Sequence, residues 1–220
     1  MINYTNILKD KYYINYYIIY FILFILLTMV ENSLFSNNLY NYIGHYKNKF
    51  PTELCDKIIN EYSNTELWIE QGIGGGNNNK EYRSTKGIPI SHERIKTTID
   101  RKNIDDEIFN KINLIFKNYI IKFPFLKLDS DEGYLLLKYD VGDFYKIHTD
   151  YSPENKPRII SCIICLNDEY TGGEISFLNK KKIFNLNKGD VLLFPSNFMF
   201  PHEVSPILSG TRYSIATWFG

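Results

Sequence analysis

Cysteine is scarce: Cys55, Cys162 and Cys165 are the only three in 220 residues, too few and too scattered for a disulfide framework. Cys162-Ile163-Ile164-Cys165 has the spacing of a redox or zinc pair. It lies, however, within I-I-S-C-I-I-C-L, an apolar β-branched run that reads as a buried strand, where positions three apart face opposite sides. Redox and zinc pairs need a turn or a helix start, so these are expected to be buried structural thiols. Net charge is also missing, with 25 Lys and Arg against 25 Asp and Glu. No electrostatic footprint argues for nucleic acid, and none is expected as a partner. A phosphate loop is absent too. The tract G-I-G-G-G-N-N-N at 72–79 lacks the Lys-Ser/Thr ending and reads as a flexible loop that can serve as a lid.

Long uncharged runs are limited to one, Y-Y-I-N-Y-Y-I-I-Y-F-I-L-F-I-L-L-T-M-V at 12–30. It meets the roughly 20-residue length of a membrane span and lacks the small-residue cleavage site of a signal peptide. The reading is a short tail at 1–11, a transmembrane signal anchor at 12–30, a polar linker at 31–49 and one folded domain at 50–220. Lys9 and Lys11 before the run and Glu31 after it favour a cytoplasmic N-terminus and a lumenal domain. A run packed as a buried helix instead would leave the protein cytoplasmic.

Within 50–220, Leu54, Ile58, Ile59 and Tyr62 recur at helical spacing behind F-P-T-E, predicting a helix to about Trp68. A second helix is expected over 104–123, where Ile108, Ile112, Ile115, Phe116 and Tyr119 form a stripe behind acidic Asp105-Asp106-Glu107. From Gly133 the periodicity changes to short apolar strands separated by turn signals: 134–139, 144–150, 159–166, 174–178, 182–186, 191–194, 202–206 and 212–219. Two helices followed by about eight strands predict an α+β, mainly β fold, a β-sandwich or jelly roll buttressed by N-terminal helices.

His148 and Asp150, two apart on a strand, project to one face and can converge on one ion. His202, opening a later strand, is the candidate third ligand. Two imidazoles and a carboxylate form a facial triad suited to ferrous iron, with positions left open for a co-substrate and O2. Arg212 and Ser214 share one strand face ten or more residues further on. A guanidinium fork plus a hydroxyl suits the far carboxylate of a dicarboxylic co-substrate, and Tyr139 can add a phenolic hydrogen bond.

This ensemble resembles the 2-oxoglutarate and Fe(II)-dependent oxygenases of the prolyl 4-hydroxylase-like superfamily. The resemblance is carried by Tyr139, His148-Thr149-Asp150, I-S-C-I-I-C-L-N, Y-T-G-G-E-I-S-F, K-G-D-V-L-L-F-P-S, His202, G-T-R-Y-S and Trp218, with F-P-T-E-L-C-D-K-I-I similar to the entry helix. It implies a double-stranded β-helix, iron held by His148, Asp150 and His202, and 2-oxoglutarate held by Arg212 and Tyr139. It also implies decarboxylation to succinate coupled to hydroxylation with O2, with ascorbate as reductant.

The expected activity is hydroxylation of a peptidyl side chain, prolyl foremost, in a protein or peptide substrate. Lysyl or small-molecule hydroxylation, and a non-catalytic jelly-roll binding module, are the alternatives. Collagen-type relatives usually carry lysine where Arg212 stands, and G-T-R-Y equally resembles lysyl hydroxylases. Trp218 stands where alkylation-repair enzymes place a second arginine. Tyr145, Arg158 and Trp218 are candidate walls of the substrate pocket, with Arg158 otherwise a rim charge. His45 and His92 read as solvated, Gly172-Gly173 as a tight turn, and 129–132 as a solvated acidic loop.

Overall fold

The computed structural model describes residues 18–27, 29, 39–72, 79–91, 99–151 and 158–220. The chain divides into two units, Met1–Asn41 and Tyr42–Gly220. In the first, residues 18–27 and 29 are helical. Among the described residues no helix is long and apolar enough to cross a membrane. This corrects the expected anchor at 12–30, and with it the single-pass, lumenal arrangement. The tail at 1–11, the flanks 12–17, 28 and 30, the linker positions 31–38, the centre of the glycine tract at 73–78, and His92 lie outside the described residues.

In the second unit, a seven-stranded sheet has the order β1-β11-β7-β14-β5-β4-β2, and a five-stranded sheet the order β10-β9-β12-β6-β3. The strands are β1 Gly44–Tyr46, β2 Ile69–Glu70, β3 Arg83–Ser84, β4 Lys86–Pro89, β5 Leu135–Tyr139, β6 Phe144–His148, β7 Ile160–Cys165, β8 Thr171–Gly172, β9 Ile175–Phe177, β10 Lys182–Phe184, β11 Val191–Pro195, β12 His202–Val204, β13 Ile207–Ser209 and β14 Arg212–Phe219. β8 and β13 form a separate two-stranded ribbon. This is the expected jelly roll, and every pairing is antiparallel.

Register divides the large sheet into two working faces. Cys162 and Ile164 of β7, Ile215 and Phe219 of β14, Leu136 of β5 and Leu193 of β11 join one core with the helices. The helices are α1, Thr52–Tyr62, and α2, Ile99–Lys122. The alternate residues face the other way: Ser214 pairs with Cys165 and Leu137, Trp218 with Ser161, and Arg212 with Tyr139. Period-two alternation therefore assigns Cys162 to the helix side and Cys165 to the inner side. All three thiols are buried and free, and burial raises the pKa of each. Structural thiols are what the strand pattern predicted.

Helix α1 stops at Tyr62 rather than near Trp68. Ser63-Asn64-Thr65 favours turns over helix, and the Trp68 indole folds back to donate to the Tyr62 carbonyl at 3.1 Å, satisfying a helix-end acceptor. Helix α2 begins five residues earlier than expected, so Asp105–Glu107 lies in its second turn, with Lys102 paired to Asp106 at 2.7 Å.

Residues 42–49, expected as linker, belong to the folded unit. β1 pairs with β11, and His45 Nε2 lies 2.8 Å from Asp190 Oδ2. His45 is therefore not solvated as expected. Asp190, 2% exposed, also accepts from the backbone N–H groups of Asn48 and Asn187. His45→Ala should destabilise the unit by roughly 1–3 kcal/mol, the cost of leaving a buried acceptor short of a partner. Urea melts of the two proteins at neutral pH check this, and equal midpoints would refute it.

Candidate active site

His148 ends β6 and His202 begins β12, and the two are direct partners across that pair. The next aligned pair is Tyr145 with Val204, so three steps on β6 match two on β12. This bulge adds one residue to β6 and breaks its alternation. Tyr145 consequently lies on the same side as His148 and stacks on it, with ring centroids 3.5 Å apart. Asp150, just past β6, completes the group: the ligand-type atoms of His148, Asp150 and His202 all lie within 4.8 Å of one another.

The imidazoles are oriented from behind. His148 Nδ1 lies 2.8 Å from the Lys146 carbonyl and His202 Nδ1 3.1 Å from the Phe200 carbonyl. A carbonyl only accepts, so each Nδ1 carries the proton and each Nε2 presents a lone pair. Those lone pairs face Asp150, with Nε2 of His148 3.6 Å from Oδ1 and Nε2 of His202 3.6 Å from Oδ2. Ser161 donates to Asp150 Oδ2 at 2.7 Å and is bonded in turn to Ser196 at 2.8 Å. Burial opposes ionisation of Asp150, but His202, His148 and the Ser161 hydroxyl outweigh it and hold the carboxyl well below its usual range. Burial, and then the neighbouring His148, depress His202 to about 4 against the pull of Asp150. An ionised carboxylate beside a neutral imidazole, with lone pairs converging, is a donor set that suits a divalent cation.

On the large sheet's inner face Arg212 is 1% exposed. Its Nη1 donates to Ser214 at 3.0 Å, and its guanidinium lies 5.1 Å from the centre of the Tyr139 ring. Among the described residues no carboxylate pairs with it, and its Nε is buried without a hydrogen-bond partner. A buried cation with a spare donor is costly unless an anion completes it, so the residues present fit a dicarboxylic co-substrate.

Of the expected pocket walls, Arg158 is not a free rim charge. It forms two 2.7 Å bonds to Glu132 and lies over the Trp218 ring at 3.7 Å. Glu132 thus leaves the acidic loop's solvated reading for a structural pairing. Tyr145 is held between His148 and Arg83, whose guanidinium sits 4.4 Å above the ring.

Residues 134–220, which contain the triad, Arg212, Ser214 and Tyr139, match the family described as the 2OG-Fe(II) oxygenase superfamily. A PKHD-type hydroxylase of Prochlorococcus marinus (strain AS9601) is 28% identical over 174 residues, covering 71% of this chain and 76% of that protein. A prolyl hydroxylase from Trichoplax adhaerens, solved with a hypoxia inducible factor oxygen degradation domain peptide fragment, superposes with a TM-score of 0.68. It is 17% identical and covers 88% of this chain and 92% of that one. The match and the shared fold support a 2-oxoglutarate/Fe(II) oxygenase domain of prolyl 4-hydroxylase-like type. The viral collagen prolyl hydroxylase of Paramecium Bursaria Chlorella virus-1, in its 2OG complex, shares the fold at a TM-score of 0.60 and 17% identity, covering 81% of this chain and 95% of that one. Fe(II), 2-oxoglutarate and O2 are the cofactor and co-substrates of this oxygenase.

Sequence reasoning missed three parts of the oxygenase site. Ser161 sits in a strand that reads as wholly apolar, and its partner Asp150 follows a strand of the other sheet. Glu132 was masked by its acidic neighbours. Tyr170, in Y-T-G-G, stands beside Arg212, both within van der Waals reach of a Cβ built on Gly173. The glycines after it gave the turn, with φ of 78° at Gly172 and 67° at Gly173, but nothing in their spacing pointed Tyr170 at Arg212.

Proposed function

We propose that the protein hydroxylates a side chain of a peptide or protein, prolyl foremost, with His148, Asp150 and His202 holding Fe(II). In this reading Arg212, Ser214 and Tyr139 hold 2-oxoglutarate. The observation that carries it is the convergence of three oriented lone-pair donors at the β6–β12 pair, together with an arginine on the inner face of the large sheet that is buried and, among the described residues, has no carboxylate partner. The iron so bound would use 2-oxoglutarate and O2 to give succinate, CO2 and the hydroxylated product, with ascorbate keeping it ferrous.

The protein's own contribution is orientation. The backbone carbonyls of Lys146 and Phe200 fix both imidazole tautomers, and Ser161 fixes the Asp150 carboxylate. Arg212 determines which end of the co-substrate points away from the metal. Tyr145 and the Trp218–Arg158 stack wall the substrate pocket. Because Glu132 occupies two guanidinium donors of Arg158, that side chain is rigid enough to meet a peptide carbonyl with little loss of entropy. The Trichoplax neighbour was solved with a peptide fragment, which supports a peptide over a small molecule. In this reading the catalytic unit is the compact unit Tyr42–Gly220.

Incubating the full chain with Fe(II), ascorbate and 2-oxoglutarate should release succinate slowly. Adding proline-containing peptides should accelerate release, with one oxygen atom gained per peptide. Absence of succinate at full iron loading would refute the oxygenase assignment of these residues. Acceleration by lysine-containing peptides alone would replace prolyl with lysyl.

A further inference from the structure

We propose that Tyr170 is a second anchor for the far carboxylate of the co-substrate, donating its phenolic proton to the anion that Arg212 pairs with. This rests on the co-substrate reading above and extends it to a residue outside the strand motif. Three observations converge on it.

Tyr170 reaches Arg212 from the turn ahead of β8. A Cβ built on Gly173 would stand 3.2 Å from the Tyr170 ring and 3.1 Å from Arg212 Cδ. The absence of a side chain there lets phenol and guanidinium close on each other. The second observation concerns Cys165, on the inner face of β7 and the register partner of Ser214. Its sulfur lies 3.6 Å from the Tyr170 hydroxyl and donates to the Asn167 carbonyl at 3.1 Å. A small residue at this strand position leaves room beside Arg212, and the tyrosine from the neighbouring turn fills it.

The third is proton accounting. Arginine only donates, so toward the neighbouring Arg212 the Tyr170 oxygen can act only as an acceptor. The phenolic proton is left with the Cys165 sulfur, a weak acceptor. Burial raises the Tyr170 pKa, so the proton stays on at neutral pH. The buried cation thus keeps one unsatisfied N–H, and the phenol beside it keeps one poorly satisfied O–H. A carboxylate takes both. A ligand ending in a methyl group takes neither.

The test is titration calorimetry on the Mn(II)-loaded full chain with 2-oxoglutarate and with pyruvate, which lacks the far carboxylate, alongside near-UV difference spectra. Tyr170→Phe should weaken 2-oxoglutarate about tenfold to a hundredfold, the range for a hydrogen bond to a charged group, while leaving Mn(II) and pyruvate affinities unchanged. Wild type should show a larger tyrosine difference signal with 2-oxoglutarate than with pyruvate, and Tyr170→Phe should lose that excess apart from the share contributed by Tyr139. A residue that merely holds Arg212 in place would not give that signal. Unchanged 2-oxoglutarate affinity in Tyr170→Phe, an equal loss for pyruvate, or no tyrosine signal in wild type would each overturn the proposal. If wild type itself binds Mn(II) but not 2-oxoglutarate, the co-substrate reading falls, and this inference with it.

Discussion

His202→Ala is expected to lose bound iron and turnover together while keeping the fold. His202 is 3% exposed and presents one of only three converging donors. Disturbing a partner that merely orients a metal ligand already costs about 10–100-fold in affinity, so removing a ligand outright should exceed a hundredfold. The ring also packs on Phe177 and Phe194, with centroids 5.4 and 4.8 Å away. Alanine therefore leaves a cavity, and some loss of stability must be separated from loss of metal. His202→Gln serves that purpose: it fills most of the volume but lacks the imidazole nitrogen fixed by the Phe200 carbonyl. Both variants should melt cooperatively and carry little iron by metal analysis. One iron per chain in His202→Ala, with normal succinate release, would remove His202 from the metal site.

Much of this site was readable before any fold was known, for a local reason. The predicted strands over 134–139, 144–150, 159–166 and 212–219 all formed within a few residues of their expected ends, because each carries its own apolar alternation and a glycine or asparagine stop. The same alternation placed Arg212 and Ser214 on one face. What failed was non-local or nearly patternless. β2, β3 and β8 are two residues long and β1, β4 and β13 only three or four, too short for a period to develop. β1 to β4 exist because longer partners offer free edges, whereas β8 and β13 pair only with each other. The bulge that brings Tyr145 onto His148 cannot be seen in β6 alone, since it is a mismatch between two strands. His45 read as linker because its partner Asp190 is 145 residues away. The anchor reading failed differently: hydropathy along 12–30 measured apolarity alone, and among the described residues no helix is long and apolar enough to cross a membrane.

Arg212→Ala should abolish measurable 2-oxoglutarate binding while leaving metal affinity nearly intact. Truncating one partner of a buried, hydrogen-bonded charge pair costs about 2–5 kcal/mol, much of it from leaving the other charge unpaired. Here that other charge is the co-substrate's far carboxylate, and Ser214 and Tyr139 supply only neutral groups in its place. The triad, whose imidazoles are fixed by backbone carbonyls, has no contact that depends on the guanidinium. Stability should move the other way. Without co-substrate, Arg212 is a buried cation with an unpartnered Nε, and exchanging buried ionic groups for apolar ones of similar volume is often neutral or stabilising by about 1–4 kcal/mol. Arg212→Met should thus unfold no earlier than wild type in metal-loaded protein lacking 2-oxoglutarate. Adding 2-oxoglutarate at a hundred times its dissociation constant should stabilise wild type by about 2.7 kcal/mol and leave Arg212→Met unmoved. The thermal shift with and without ligand reads both effects at once. A ligand-induced shift in Arg212→Met equal to that of wild type would move the anion site away from β14.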